Sequence, residues 1–421
     1  MQNAGTMRLF VCYVPGLDAR RVGPDTTPCL HGLMQSCPSV KISTLPSTEL
    51  VPTLISGVYP HQNGVWQVSL DDTKVDPVNQ GMFDRLPDMV STTAQCIRQK
   101  LDGSYDLAAI PPGRRRRFRQ HRFKYTRRAQ SPETLARFGD YPSIFGLLGP
   151  DAKYHFTKDF GSLNDLAARL PSPGLKLEFL EMYALDLTQH WNLDRPDVMR
   201  EAYLATDTFI AELRKKCLQQ DVTLMVLVDH GQEPVIGTIP FKQQLKKLGI
   251  RDSDYSYFAE LATIRLWFHT DESRNRITEL LQKLEHTTLL KYTEMHQFHV
   301  CFDNSDYGEY YLMADPGYIF FPHDFYQPLA NTYLGLTDRE QRSRVLNPVH
   351  RGNHGYLPQH PSEKGYAILV DNKYSAQASE IELIDFAPTV LTLVGHPPAQ
   401  HMNGKIAFHR DTGIHLYVNS F

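Results

Sequence analysis

The stretch Val222–Gly231, VTLMVLVDHG, decides the fold. Five apolar residues run unbroken from Leu224 to Val228 and are followed at once by Asp229, His230 and a glycine. A short, fully apolar run of this kind is typical of a strand buried on both faces of a sheet between helices. Ligands of open α/β sheets bind outside the carboxyl ends of such strands, and carboxylate and imidazole groups are standard donors to zinc. The stretch therefore predicts an α/β fold and two candidate metal ligands, with a solvated strand end as the alternative.

A second strand end carries a similar pair of side chains. Leu175–His190, LKLEFLEMYALDLTQH, predicts a strand followed by a turn that contains Asp186 and His190. If this turn is helical, the spacing of four residues places both side chains on one face, where they can share a metal. The apolar positions of residues 196–218 recur at helical spacing, so the chain from here to residue 228 reads as strand, helix, strand. Such a crossover joins parallel strands, and it brings Asp186 and Asp229 to the same edge of the sheet.

A hydroxyl group is predicted at the start of a short helix. Residues 40–43 read as a strand, and Ser47 or Thr48 can cap a helix that ends at Gly57. The free N–H groups and the positive dipole end of a helix favour a phosphate, and a nucleophile that attacks one. A plain N-cap without chemistry is the alternative at this stage.

Composition limits the class of protein. The chain has 421 residues, a formal net charge of −3 and 41% apolar residues. The length predicts one large α/β domain with insertions, or two lobes. We favour a single domain over residues 1–421, with insertions at about 70–150 and about 231–345 that form a cap. No apolar run is long enough for a membrane span, and the charge argues against nucleic acid and membrane partners. Six scattered cysteines without a CxxC pair predict a reduced, cytoplasmic protein.

One basic segment departs from this charge balance. Residues 114–128, RRRRFRQHRFKYTRR, combine arginines with aromatic residues. The segment could bind nucleic acid, bind an anionic substrate or another part of the chain, or form a solvated face. The slightly acidic chain disfavours the first of these. Arg116 and Arg119 are therefore candidate substrate-binding residues.

Taken in chain order, seven stretches resemble motifs of the alkaline phosphatase superfamily, in its nucleotide pyrophosphatase/phosphodiesterase branch. They are TPCL at 27–30, PSTELVPTLISGVYPHQNGV at 46–65, LDLTQH at 185–190, VDHG at 228–231, ADPGYIF at 314–320, GNHGY at 352–356, and LIDFAPTVLTLVG at 383–395 with Met402, Asn403 and Gly404. The resemblance spans nearly the whole chain and keeps the order of the family.

The resemblance implies a fold and a reaction. The fold is an alkaline-phosphatase-like, largely parallel sheet with mixed edges, sandwiched by helices. Two neighbouring divalent metals, Zn²⁺ or else Mn²⁺ or Mg²⁺, would lie at its carboxyl edge. A threonine or serine would take the phosphoryl group of a small phosphorylated or otherwise anionic substrate. The residues that match the ligands of the first metal are Asp186, His190 and His354, and those that match the second are Asp229 and His230.

The sequence departs from the family pattern at two functional positions. The family's first strand ends in Asp-Gly, whose carboxylate binds the second metal, whereas this chain has Pro15-Gly16. Asp18 is a candidate substitute ligand. The nucleophile is Ser47 when the motif is aligned without a gap and Thr48 when one deletion is allowed, and we favour Thr48.

The sequence thus predicts a metal-dependent phosphodiesterase or nucleotide pyrophosphatase-like hydrolase. The alternative, motivated by Pro15, is a catalytically silent or one-metal relative that binds a phosphorylated ligand. A third interpretation is hydrolysis of sulfate esters or phosphonates by the same metal chemistry. Sulfatases of the superfamily use a modified Cys or Ser with a nearby Arg, and residues 47–51, STELV, lack that arginine.

Overall fold

A computed structural model describes residues 7–67, 90, 135–251, 253–302, 307–324, 326 and 347–411. The strands in these ranges are β1 Leu9–Tyr13, β2 Ser39–Ser43, β3 Arg137–Phe138, β4 Tyr141–Pro142, β5 Ala152–Thr157, β6 Leu177–Met182, β7 Thr223–Val228, β8 Glu233–Pro234, β9 Gly237–Ile239, β10 Tyr255–Ala259, β11 Thr263–Phe268, β12 Thr287–Lys291, β13 Tyr310–Ala314, β14 Tyr318–Phe320, β15 Gly352–Asn353, β16 Lys364–Val370, β17 Tyr374–Ala376, β18 Glu380–Glu382 and β19 Phe408–Arg410. The α-helices are α1 Pro28–Ser36, α2 Val51–Ser56, α3 Pro60–Asn63, α4 Ile144–Leu148, α5 Leu163–Arg169, α6 Ala184–Asn192, α7 Pro196–Gln219, α8 Phe241–Lys247, α9 Asp271–Leu281 and α10 Phe386–Leu393.

The main sheet has seven strands in the order β18-β2-β16-β7-β1-β6-β5. β7 pairs in parallel with β1, and β1 pairs in parallel with β6, as the predicted crossover requires. β16 is the exception, because it runs antiparallel to both of its neighbours, β2 and β7. The predicted α/β fold with a mostly parallel sheet is confirmed, but the antiparallel strand lies inside the sheet rather than at an edge.

The central strands are apolar because both faces of the sheet are covered. In β1, Leu9, Val11 and Tyr13 point into one core, which also holds residues of α2, α4 and α10. Phe10 and Cys12 point into the other core, with residues of α1, α5 and α7. Burial on both faces removes the alternation of polar and apolar residues that a half-exposed strand would show. This explains the unbroken apolar run that leads to Asp229.

One edge of this sheet collects the polar strand ends. β1, β2, β6 and β7 finish at this edge, where they lead to Pro15, Ser47, Asp186 and Asp229 in turn. Because β16 runs the other way, its first residues lie at the same edge. The residue before it, Glu363, therefore joins the polar set.

The start of α2 differs from the prediction. The helix begins at Val51, with Leu50 at the N-cap, rather than directly after Ser47 or Thr48. Pro52 lacks an N–H and is accommodated only in the first turn, so it sets the start of the helix near this point. Ser47 instead accepts a hydrogen bond from the N–H of Glu49 in a turn before the helix. The positive dipole end of α2 therefore begins at Val51 and not at either of these hydroxyl groups.

Residues 237–324 contribute a second sheet. Its four strands pair antiparallel in the order β10-β11-β13-β12. Helices α8 and α9 bury Phe241, Leu245 and Ile277 in a third core on this sheet. The segment falls within the predicted insertion at 231–345, and its role as a cap remains a prediction. Most of the predicted insertion at 70–150 lies outside the described residues.

Two further findings concern the predicted environment. Within the described ranges, no helix is both long and apolar enough to cross a lipid bilayer. The five cysteines in these ranges, Cys12, Cys29, Cys37, Cys217 and Cys301, form no disulfide bond within the described residues.

Replacing Glu178 in β6 by glutamine should lower the free energy of unfolding by about 2 kcal/mol at neutral pH. Its buried carboxylate accepts hydrogen bonds from the Ser172 N–H (2.7 Å) and hydroxyl (2.6 Å) and lies 2.7 Å from His155 Nε2. Burial raises the pKa of Glu178, but His155 and Ser172 outweigh it, and the net pKa is lowered. The stabilisation is therefore present above the ordinary glutamate pKa and is lost as pH falls through the lowered one. Urea unfolding of both proteins across acid pH should show the difference shrinking, and a constant difference would contradict this account.

Candidate metal centre and nucleophile

Five predicted ligands converge at the carboxyl edge of the main sheet. Asp186 lies in the first turn of α6, and His190 follows it one turn later. Asp229 and His230 follow β7 directly, and His354 follows β15. All are buried except His190, which is half-buried. Segments far apart in the chain therefore bring two carboxylates and three imidazoles to one place.

The distances between these side chains suit ligands of a divalent cation. Asp186 Oδ2 lies 3.4 Å from His190 Nε2, and Asp186 Oδ1 lies 3.6 Å from His354 Nε2. Asp229 Oδ2 lies 3.2 Å from His230 Nε2. Two donors that bind zinc tetrahedrally at about 2.0–2.2 Å are about 3.3–3.6 Å apart. The donor types and their spacing thus fit the group that the sequence motifs imply.

The two predicted ligand sets adjoin. Ligand atoms of Asp186, His230 and His354 all lie within 4.8 Å of one another. The rings of His230 and His354 stack with centroids 3.8 Å apart. His230, predicted on the second site, is therefore next to both Asp186 and His354 of the first. The two predicted ligand sets are therefore contiguous in the structure.

Hydrogen bonds orient these ligands. Nδ1 of His190 lies 2.9 Å from the Gly352 carbonyl, and Nδ1 of His230 lies 2.9 Å from the Gly231 carbonyl. An Nδ1–H that donates to a carbonyl leaves Nε2 as the metal-binding nitrogen. Gln232 Nε2 donates to Asp186 Oδ1 (2.7 Å). The hydroxyl of Tyr13 donates to Asp229 Oδ2 (2.5 Å).

Electrostatics keep both carboxylates charged. Burial alone would raise the pKa of Asp186, but His190 and His354 outweigh it and hold the pKa well below its usual range. Burial would also raise the pKa of Asp229, but His230 and the Tyr13 hydroxyl outweigh it, and the net pKa is lowered. For His230, burial lowers the pKa, yet Asp229 raises it to about 9 overall. Without a metal, the proton on His230 therefore partly balances the carboxylates, and a bound cation would displace it.

The two candidate nucleophiles have different surroundings. Thr48 is half-buried, and its hydroxyl donates to Gln67 Oε1 (2.8 Å). Thr48 lies against Gly355: a Cβ atom built on Gly355 would be 3.0 Å from Thr48 Cγ2. Ser47 is buried, and its hydroxyl donates to the Trp66 carbonyl while accepting from the Glu49 N–H. Thr48 is thus adjacent to the turn that carries His354. The Ser47 hydroxyl, in contrast, is already engaged in two local hydrogen bonds, one as donor and one as acceptor.

Asp18 is close to the site but is engaged elsewhere. Its carboxylate forms an ion pair with Arg20 (2.6 Å) and packs against Gly231, where an added Cβ would be 2.5 Å from Asp18 Cγ. The structure brings it beside the His230 turn but not into the cluster of Asp186, His230 and His354. Its role as a substitute ligand remains a prediction. Arg116 and Arg119 lie outside the described residues.

Several polar side chains around the candidate ligands were not predicted from the sequence. Gln189 Nε2 donates to the Gly16 carbonyl (2.7 Å), next to the position where the family's aspartate is replaced by Pro15. Glu363 is buried, and burial raises its pKa to about 7. Gln189 lies inside the stretch 185–190, and Glu363 lies seven residues after the stretch 352–356. Each is a polar residue at the carboxyl edge of the main sheet, and this position can be recognised only when the strand order is known.

The main sheet, covered by helices on both faces, matches an alkaline-phosphatase-like fold. Murine ectonucleotide pyrophosphatase/phosphodiesterase 5 has a similar structure, with a TM-score of 0.65 over 95% of this chain and 98% of that chain, at 14% identity. An inactive Thr-to-Ala variant of the murine protein in complex with AMP gives the same TM-score and identity over 95% and 97% of the two chains. The human protein gives a TM-score of 0.63 at 14% identity over the same shares.

The similarity is therefore structural. No protein-family model matches the sequence, and no curated protein matches it. At 14% identity the match confirms the nucleotide pyrophosphatase/phosphodiesterase resemblance at the level of the fold. The coverage of 95% means that the shared architecture extends over nearly the whole chain.

Proposed function

We propose that this protein is a metal-dependent hydrolase that cleaves a phosphodiester, pyrophosphate or related phosphoester bond, with Thr48 as the nucleophile. The observation that carries the proposal is the convergence of Asp186, His190, His354, Asp229 and His230 with nitrogen–oxygen distances of 3.2–3.6 Å. A purely structural cluster has no physical need for two charged carboxylates and three imidazoles in a buried site. The structural relatives and the AMP complex of one of them support a small phosphorylated substrate.

The side chains have separate tasks in this reaction. Asp186, His190 and His354 would hold one cation, and Asp229 and His230 a second. Bound cations, which we propose are Zn²⁺, stabilise negative charge on the phosphoryl group and lower the pKa of an attacking hydroxyl. Thr48 Oγ1 would form the new bond to phosphorus and release its proton to water, while the bond from phosphorus to the leaving oxygen breaks and the leaving group takes up a proton from water. Water then cleaves the bond between phosphorus and Thr48 and regenerates the hydroxyl.

Gln67 would prepare Thr48 for this attack. Its Oε1 accepts the hydrogen bond from the threonine hydroxyl, which fixes the direction of Oγ1. The contact between Thr48 and Gly355 keeps the nucleophile next to the His354 turn. A nucleophile held in this way gives up little freedom when the substrate binds. The main-chain turn and one amide side chain thus orient the hydroxyl before the reaction begins.

The second candidate function is a silent or one-metal relative that binds a phosphorylated ligand. Pro15 favours it, because the family's carboxylate at this point is missing and the nearby Asp18 is paired with Arg20. The cation on the Asp229 side would then have only two protein ligands. Such a site binds its metal more weakly than one with three.

Metal content and turnover, measured on the same sample, test the proposal. We expect bound zinc in protein purified without chelator, and hydrolysis of bis-p-nitrophenyl phosphate that a chelator abolishes and Zn²⁺ or Mn²⁺ restores. Two metals per chain would favour a complete second site, and one metal with turnover would favour a one-metal enzyme. Metal binding without hydrolysis of any phosphoester would contradict the proposed hydrolase and favour a protein that only binds a phosphorylated ligand.

A further inference from the structure

A cavity of about 230 Å³ lies at the edge of the main sheet opposite the candidate metal ligands. It is bordered by the carboxyl ends of α1 and α7, by the start of β7 and by the residues that follow β16. Val222, Leu224 and Val370 form its apolar wall, and Cys37 and Cys217 also line it. All five belong to, or pack against, the core that α1, α5 and α7 share with the sheet. The cavity is therefore an open end of that core.

An exposed leucine extends this apolar surface. Leu218 of α7 lines the cavity and is 82% exposed, whereas Leu204 of the same helix is 46% exposed. Single exposed leucines are common on protein surfaces. A leucine at the rim of an open apolar cavity, however, forms a contiguous apolar patch with it. Such a patch is typical of a surface that another segment covers.

The last described strand runs towards this cavity. β19 pairs antiparallel with β17, and the Asp411 N–H then donates to the Lys373 carbonyl (2.8 Å). In an antiparallel pair, each further residue of one strand passes the preceding residue of the other. The residues that precede Lys373 are Asp371 and Asn372, and both line the cavity. Residues 412–421 follow outside the described residues, and at about 3.3 Å per residue they are long enough to cross it.

The composition of residues 412–421, TGIHLYVNSF, suits an apolar surface. The segment contains no Asp, Glu, Lys or Arg, and half of its residues are apolar. Ile414, Leu416 and Val418 are spaced two apart, which places them on one face of an extended chain. Aliphatic side chains on one face gain free energy when they leave water for an apolar wall. The segment and the cavity are therefore complementary in chemistry.

We propose that residues 412–418 lie across this cavity as an extended segment and close the open end of the core. Their three alternating aliphatic side chains face the apolar wall and cover Leu218. The occupant is this chain's own segment because it is attached at Asp411, beside the rim, and a short tether gives an effective concentration of about millimolar order. A second copy of the chain has no such advantage. This inference concerns the edge opposite the candidate metal ligands and is independent of the proposed function.

The reactivity of Cys37 with a maleimide tests the proposal in the full chain, with each cysteine followed separately by mass spectrometry. Cys37 is half-buried and lines the cavity, so a segment that lies over the cavity shields it. Leu416→Asp puts a charge on the apolar face, and we expect Cys37 to react about tenfold faster in this variant. His415→Asp is the matched control, because it adds the same charge to the opposite face, and Cys37 should react as in wild type. Cys29 is half-buried but does not line the cavity, so its rate should be the same in all three proteins.

A double-mutant cycle gives a second readout. Leu218→Ser should lower Tm in the wild-type background but have little effect in the Leu416→Asp background, where the covering contact is already lost. Leu204→Ser, on the same helix but away from the cavity, should change Tm equally in both backgrounds. Equal effects of Leu218→Ser in the two backgrounds would contradict the proposed contact.

Three outcomes of the labelling experiment would overturn the proposal. The first is a Cys37 rate in Leu416→Asp that equals the wild-type rate, and the second is an equal acceleration by His415→Asp. The third is shielding of Cys37 that weakens on dilution of the wild-type protein, which would assign the surface to a second copy of the chain. None of these readouts depends on bound metal or on turnover, so a failure of the proposed hydrolase activity is seen separately.

Discussion

Thr48→Ala should lower kcat for bis-p-nitrophenyl phosphate by about 10³-fold or more while the metal content stays at the wild-type value. The variant removes the oxygen that forms the bond to phosphorus, and no other group in the described part of the site is held by Gln67 next to the His354 turn. Thr48 is not among the ligand residues, so zinc binding should persist. Steady-state kinetics and metal analysis on one preparation measure both effects.

Two variants at and beside Thr48 separate chemistry from structure. Thr48→Ser keeps a hydroxyl and should retain a large share of the activity that Thr48→Ala loses. Ser47→Ala removes the hydrogen bonds to Trp66 and Glu49, so it should lower the free energy of unfolding by about 1–2 kcal/mol with a far smaller effect on kcat. The opposite pattern, with Ser47→Ala inactive and Thr48→Ala active, would assign the nucleophile to Ser47.

Asp186→Asn should weaken Zn²⁺ binding by about 100-fold or more and reduce turnover at limiting zinc in proportion. Asp186 faces His190 through one carboxylate oxygen and His354 through the other, so its charge serves the whole first site. The amide has nearly the same shape and keeps the contact with Gln232 possible, but it carries no charge to offset a cation. Titration of the metal-free variant with Zn²⁺ gives the affinity directly.

Asp207→Asn is a matched control for this effect. Asp207 is also buried, and its two oxygens accept hydrogen bonds from the Cys29 and Leu30 N–H groups at the start of α1. Its replacement should lower the free energy of unfolding but leave zinc affinity unchanged. Equal zinc affinities for Asp186→Asn and wild type would remove Asp186 from the metal site and with it the basis for the first cation.

The sequence was sufficient to predict the side chains that directly follow parallel strands. Asp229 and Asp186 could be placed together because two parallel strands joined by a helix end at one edge of the sheet. His190 followed from helical spacing after Asp186. In these cases the position of the side chain follows from the helical spacing of residues and from the shared edge of parallel strands. The motif at 352–356 then added His354, which no periodicity would have revealed.

Other features depend on pairings that the sequence does not express. The place of β16 between β2 and β7 is set by long-range pairing, so the arrival of Glu363 at the site could not be predicted. The hydrogen bond from Tyr13 to Asp229 spans two strands and depends on their register. Asp18 was a candidate ligand because the sequence does not show that its carboxylate forms an ion pair with Arg20, two residues away. The early helix start was wrong because the side chain of Ser47 caps a separate turn.

The reversed strand β16 also bears on how the protein is made. It pairs with β2, beside the contact between Thr44 and Glu363, which are 319 residues apart, and it follows His354 in the chain. Contacts of such separation form late, because closing a long loop costs entropy before the contact repays it. During synthesis β1, β2, β6 and β7 emerge before β16, which leaves the ribosome only after all five candidate ligands have been translated. Zinc capture by the full ligand set should therefore mark the completion of folding, and a truncated nascent chain should neither hold the metal tightly nor act on phosphoesters in the cell.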